Sequence, residues 1–189
     1  MFRSARRKAY TLIEVLVVVT VLGIAASLVI PSMGSANALR VQAAVRSVIA
    51  DVTFAQSDAL AFQQGRAIIF DLDNNRYQVV QVRGSNIDPA TDLIYETRIT
   101  GSTFGDSRLE SASLAGSNGR TLIFDEMGAP VTAPGGTTPA SNGTIRIVGS
   151  GQAFILTIEG YTGRVSVARD TGGGGGGGSE GAGEEGAGE

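Results

Sequence analysis

The 189-residue chain contains no cysteine, no histidine and no tryptophan. Without cysteine there is no disulfide framework and no thiolate metal site, so the compartment cannot be read from thiol usage. Without histidine the commonest general base and the commonest zinc ligand are both missing. The abundant serines therefore have no Ser-His-Asp partner set. No GxxxxGK[ST] phosphate loop occurs either. These absences exclude most hydrolase, metalloenzyme and nucleotide-binding readings, and the expectation is a chain with no catalytic residues, no metal site and no cofactor.

Charge is scarce and unevenly placed. Arg3, Arg6, Arg7 and Lys8 crowd the extreme N-terminus with no acidic neighbour. The remaining 11 basic residues face 18 acidic ones, a balance of −7. An acidic body argues against broad electrostatic attraction to nucleic acid.

Just after the basic cluster comes the longest apolar run, Leu12–Ile30, with Glu14 as its single charge. As a helix it would span about 28 Å at 1.5 Å per residue, close to the hydrocarbon thickness of a bilayer. The basic cluster before it predicts a cytoplasmic N-terminus, with the rest crossing outward. Three readings compete. One is a plain membrane anchor. Another is a secretory signal peptide with an A-x-A site at Ala36-Asn37-Ala38, although the run is long for that purpose and carries a carboxylate. The third treats Glu14 as functional. A charge at the centre of a membrane span costs about 2.5–3.5 kcal/mol on insertion scales, and less near its end. Glu14 is either an interfacial residue without a partner or a charge whose partner lies on another chain.

The segment Lys8-Ala9-Tyr10-Thr11-Leu12-Ile13-Glu14-Val15 resembles the class III signal of type IV prepilins and type II secretion pseudopilins. The resemblance implies cleavage between Ala9 and Tyr10 by a prepilin peptidase, N-methylation of Tyr10, and an assembly role for Glu14 as the fifth mature residue. Ala9 stands where the family usually has Gly, and Tyr10 where it usually has Phe. Glu14 of one subunit would neutralise the new terminal amine of its neighbour, so that two charges costly alone in lipid become a pair. Pro31 matches a Pro frequent in the family. Lacking a backbone donor, it would either kink a continuing helix or mark the helix end at the membrane surface.

Further along, Val41, Val45, Val48, Val52, Ala55, Ala59 and Phe62 recur at three- and four-residue steps, which predicts an amphipathic helix from Ala36 to Phe62 with Gly65 as its stop signal. Arg40, Arg46, Asp51, Gln56 and Gln63 fall largely off that stripe. Strand patterns follow at Arg66–Leu72, Tyr77–Val82, Leu93–Ile99, Thr121–Phe124, Thr144–Val148, Phe154–Ile158 and Arg164–Ala168. Asp73-Asn74-Asn75-Arg76 predicts a hairpin turn between the first two. Asp71, Asp73, Asn74 and Asn75 also offer oxygen ligands, but the glycine and terminal glutamate of an EF-hand loop are missing, and a turn is the better reading. Helices first and strands afterwards predict an α+β fold, a long helix covering one face of a mostly antiparallel sheet.

The segments carry a second resemblance. Phe54-Ala55-Gln56-Ser57, then Leu122-Ile123-Phe124 with Gly128, then Gly143-Thr144-Ile145-Arg146-Ile147, then Gly163-Arg164-Val165 is similar in order to the minor pseudopilin H and FimT-like family. The division implied is a leader at 1–9, a transmembrane and assembly helix at 10–31, its amphipathic continuation at 32–64, a β-rich domain at 65–170 and a Gly/Glu-rich tail at 171–189. The tail's composition predicts disorder. The implied function is a structural, non-enzymatic minor pseudopilin of a type II secretion system or related pilus machine. It would cross the bacterial inner membrane once, with a periplasmic domain, and enter the pseudopilus. Its expected partners are the prepilin peptidase, other pilins or pseudopilins, membrane lipid and the inner-membrane assembly platform.

Two alternatives stand beside it. One is a soluble binding protein released by signal-peptide cleavage. The other is a FimT-like pilin that binds DNA for uptake in natural transformation. That activity goes with a C-terminal GRxR-type patch, of which Gly163-Arg164-Val165-Ser166 keeps only the first arginine, with Arg169 five residues on. DNA is therefore not an expected partner.

Overall fold

The computed structural model describes the backbone of residues 10–29 and 32–171, and their side chains except those of 27–29, 32–36 and 117. Two helices lead, α1 at Leu12–Val29 and α2 at Ser32–Phe62. The chain then forms β1 (Arg66–Asp71), β2 (Arg76–Gln81), β3 (Leu93–Arg98), the single turn α3 (Gly101–Phe104), β4 (Arg108–Ser113), β5 (Thr121–Phe124), β6 (Pro130–Val131), β7 (Gly143–Gly149), β8 (Gln152–Ile158) and β9 (Val165–Arg169).

All ladders between these strands are antiparallel, and they make two sheets instead of one. The first has the order β3-β2-β1-β5-β6 and the second β4-β7-β8-β9. The chain changes sheet between β3 and β4, and Asn75 fastens that crossing. Its backbone is left-handed, with φ 51°. Its amide donates to the carbonyls of Ile99 and Ser107, and its carbonyl oxygen accepts the Leu109 N–H at 2.8 Å. Asparagine tolerates this backbone region, and its short amide can serve three main-chain groups at once.

The core is a meeting of α2 with both sheets. Val41, Val45, Val48, Val52, Ala55 and Ala59 are buried, as the periodicity predicts, and Ala44 joins them. Opposite them lie Ile68, Phe70, Tyr77, Val79, Leu122 and Phe124 of the first sheet and Ile145, Ile147, Leu156 and Ile158 of the second. Valine and alanine on the helix let the large strand side chains approach closely, which suits close packing around a central helix. The outer face of the first sheet has its own smaller cluster, Ala67, Val80, Val82, Ile123 and Val131.

The helix end differs from expectation in two ways. Phe62 is exposed instead of closing the apolar stripe, and its ring takes the Arg66 guanidinium over its face at 5.8 Å. The left-handed residue after the helix is Gln63, with φ 49°, and Gln64 N–H donates back to Ala59 O in the manner of a Schellman cap. Gly65 is needed for another reason: a Cβ there would lie 3.0 Å from Val82 Cβ and 3.2 Å from Phe124 O.

Candidate functional site

The described chain opens at Tyr10, the residue after the expected cleavage point. Tyr10 and Thr11 are non-helical, and α1 starts at Leu12. Thr11 is the cap residue: its Oγ1 accepts the Glu14 N–H at 3.3 Å, and its carbonyl accepts from Glu14 N and Val15 N. Thr-x-x-Glu at a helix start is the capping-box pattern, and a carboxylate in the first turn suits the positive end of the helix dipole. Glu14 therefore has a favourable place at the end of α1 before any second chain is considered. Ala9 and Pro31 lie outside the described residues.

Every side chain from Tyr10 to Ala26 is exposed, including Leu12, Leu16, Val19, Leu22 and Ile24. Thr20 hides its hydroxyl by donating to Leu16 O and Val17 O. An uncovered helix that is apolar on all sides needs lipid or other chains around it. Among the described residues no helix is long and apolar enough to cross a membrane. The apolar run of the sequence, Leu12–Ile30, continues past Ala26, where the described side chains of α1 stop.

Three of the four spaced motifs of the globular part come together at one residue. Gln56, half-buried on α2, donates through Nε2 to Gly128 O at 2.9 Å and to Thr162 O at 2.8 Å. One side chain thus ties the β5–β6 loop and the β8–β9 loop to the helix. Gly128 and Gly163 both have positive φ, 74° and 70°. A Cβ on Gly163 would sit 2.7 Å from Gln56 Nε2, and one on Gly128 would sit 3.1 Å from Gln56 O. Both glycines are required by backbone shape and by close approach. The β5–β6 loop is also closed by Asp125, whose Oδ1 accepts the Met127 and Ala129 amides.

The two arginines of the DNA reading differ in their surroundings. Arg164 is bound by Glu159, Nη2 to Oε1 at 2.8 Å, and Thr162 donates to the same carboxylate. The Thr162 hydroxyl, then Arg164, hold the Glu159 carboxyl below its ordinary value. Arg169 is exposed at the far end of β9, opposite Phe154. At Asp71–Asn75 the turn reading fits. Asp71 accepts from the Asn74 amide, Asn74 Nδ2 and Arg76 Nε, so its oxygens are engaged within the hairpin.

Residues 4–30 match the prokaryotic N-terminal methylation motif. The type IV minor pilin FimU of Pseudomonas aeruginosa is similar in structure, with a TM-score of 0.50 at 17% identity over 69% of this chain and 92% of that one. The chain is type IV pilin-like in motif and in fold. The minor pseudopilin EpsH of the Vibrio cholerae type 2 secretion system is also similar, with a TM-score of 0.47 at 14% identity, covering 69% of this chain and 97% of that chain. No curated protein sequence matches this one.

In this pilin-like chain the sequence reading missed the polar anchor of α2. Asp51 accepts the Tyr77 phenol at 2.5 Å, the Tyr95 phenol at 2.9 Å and the Thr97 hydroxyl at 3.3 Å, and Ser47 Oγ lies 3.1 Å from Tyr77 Oη. Burial first, and then the bond to Asp51, push both phenols above their ordinary value. Asp51 borders the apolar stripe next to Val52, the one local sign that it faces the sheet edge instead of water.

Proposed function

We infer that this chain is a structural, non-enzymatic minor subunit of a pilus-like filament, and within that class we propose a minor pseudopilin of a type II secretion system. The observation that carries the reading is the N-terminal methylation motif at residues 4–30 on a chain whose folded part is pilin-like. The uncovered apolar α1 supports it, since that helix serves first as a membrane anchor and then as a core element among other subunits. The proposed sequence of events is insertion with the N-terminus cytoplasmic, cleavage between Ala9 and Tyr10, methylation of Tyr10, and withdrawal of α1 into a filament. Glu14 would pair with the Tyr10 amine of a neighbouring subunit at that stage, and Pro31 would relieve or end the helix at the membrane surface. The ordered convergence of Gln56, Gly128 and Gly163 supports the pseudopilin H and FimT-like subgroup.

Intact mass of the mature chain tests the reading. The expected species begins at Tyr10 and carries one added methyl group on its amine. A mature chain beginning near Leu39 would make it a secreted soluble protein instead. The DNA-uptake reading is weaker, because Arg164 is neutralised within its own loop by Glu159.

A further inference from the structure

An open sheet edge is a row of unpaired backbone groups, and folded chains blunt such edges with bulges, charges, proline or a covering segment. The two sheets have β3, β6, β4 and β9 as their edges, and all but the last are blunted. β3 has an irregular register at Val79/Val80 and carries Glu96 and Arg98. β4 has a register shift between Leu109 and Ser111 and carries Arg108 and Glu110. β6 begins with Pro130, whose carbonyl accepts the Ala140 N–H. β9 has none of these devices: its register with β8 is unbroken from Val165 to Arg169, and its one charge is its last residue. The hydrogen bonds identify the open groups. Arg164 O accepts the Glu159 N–H, and the Asp170 N–H donates to Ala153 O. Alternation along an antiparallel ladder then gives β8 the backbone groups of Ser166 and Ala168, and turns those of Val165, Val167 and Arg169 outward. No backbone group of another described segment bonds to them. The side chains of the same three residues lie on the core-facing side. Val165 packs on the core, but Val167 is 43% exposed although its partner Leu156 is fully buried. Arg146 and Arg164 are held by carboxylates, whereas Arg169 has no ion pair among the described residues.

We propose that β9 is a docking edge for an antiparallel strand of a different protein chain, apolar opposite Val165 and Val167 and acidic opposite Arg169. Such a strand gives the outward N–H and C=O groups their partners, covers Val167 and sets a carboxylate beside Arg169. A second copy of this chain does not supply that carboxylate. Antiparallel pairing of β9 with β9 sets Arg169 opposite Gly163, Val165, Val167, Arg169 or Thr171 in every register, because side chains on one face alternate. The acidic residues of the blunted edges, Glu96 and Glu110, are already held by arginines. Nothing in this assignment depends on which filament machine the chain serves.

The test uses the detergent-solubilised full-length chain and amide exchange read by NMR. The probe is a blocked hexapeptide with threonine at alternate positions and glutamate, then two valines, at the others; a second version has lysine for the glutamate. In the dilute chain alone, the amides of Val165, Val167 and Arg169 are expected to exchange faster than those of Ser166 and Ala168. The glutamate peptide at millimolar concentration is expected to slow the outward set. The lysine version is expected to bind about fivefold more weakly, the scale of a cross-strand charge pair. Arg169→Glu should reverse that preference. Val167→Pro removes an outward N–H and no bond to β8, so it should abolish binding while Ser166 and Ala168 stay protected. Outward amides already protected in the dilute chain would mean that its own residues cover the edge, and would overturn the proposal. Protection that grows with chain concentration and without peptide would make a second copy the occupant and overturn it equally. So would a peptide bound regardless of its charge, or bound as well by the proline variant.

Discussion

At the residue scale, the side chains that matter most are polar ones tied to main chain or to a single partner. Arg66 is almost fully buried at the start of β1. It is held by Asp58 of α2 at 2.5 Å and by the carbonyls of Gln64 and Gly65. Removing the carboxylate strands a buried guanidinium, so Asp58→Ala is expected to lower unfolding free energy by about 3 kcal/mol in urea titration of the detergent-solubilised chain. Asp73→Ala, which breaks the exposed contact with Arg120, is expected to cost less than about 1 kcal/mol. Gln56 belongs with Arg66. Gln56→Ala leaves two loop carbonyls without their donor, and Gly163→Val forces a side chain into the Gln56 amide at a left-handed position; each is expected to cost about 1–3 kcal/mol. The double variant should cost less than the two singles added, because the second change has lost its target. Sequence spacing alone cannot reveal these ties. It marks Gln56 and Asp51 as off-stripe, and only three-dimensional closure brings two loops to Gln56 across 72 and 106 residues and strand side chains to Asp51 across 26, 44 and 46.

At the element scale, α2 and the strongly patterned strands were legible because burial imposes a period, 3.6 on the helix and 2 on strands with one covered face. All seven expected strands form, Thr121–Phe124 with the expected bounds and the others with ends shifted by at most two residues. The two that were missed have physical reasons. In β4, Arg108-Leu109-Glu110-Ser111-Ala112-Ser113, Leu109 is the one buried residue and a bulge interrupts its register, so no alternation survives. In β6, Pro130-Val131 is too short to show a period. The division into two sheets was also invisible, since pattern reports that a face is covered and not by which neighbour. The join between α2 and the first sheet has a pH signature. Tyr77 and Tyr95 have phenols raised in the fold, so their stabilising effect is complete below the unfolded value near 10 and is lost as pH rises through the higher folded values. Unfolding free energy is thus expected to fall above about pH 10, and the Tyr77→Phe, Tyr95→Phe double variant should flatten that decline. For α1, Glu14→Ala is expected to leave membrane insertion intact while filament incorporation falls. Incorporation equal to wild type, read by shearing and quantifying filaments, would remove the charge-pairing role.

At the scale of the whole molecule, the domain has one central helix, two sheets and an acidic excess. Salt-dependent retention on DNA separates the two filament readings: the purified chain is expected to show none even at low salt, whereas retention that weakens steeply with added salt would favour the DNA-uptake subunit. The arrangement of ties to α2 has a mechanical consequence. Asp51 bonds to β2 and β3, Asp58 to β1, and Gln56 to the loops flanking β5 and β9, all within two turns of helix. A pull transmitted along α2 would load these bonds side by side, in shear, before any strand could be peeled from its sheet. A subunit dragged lengthwise by its first helix would therefore yield by sliding the helix out whole, at high force, and not by unravelling strand by strand.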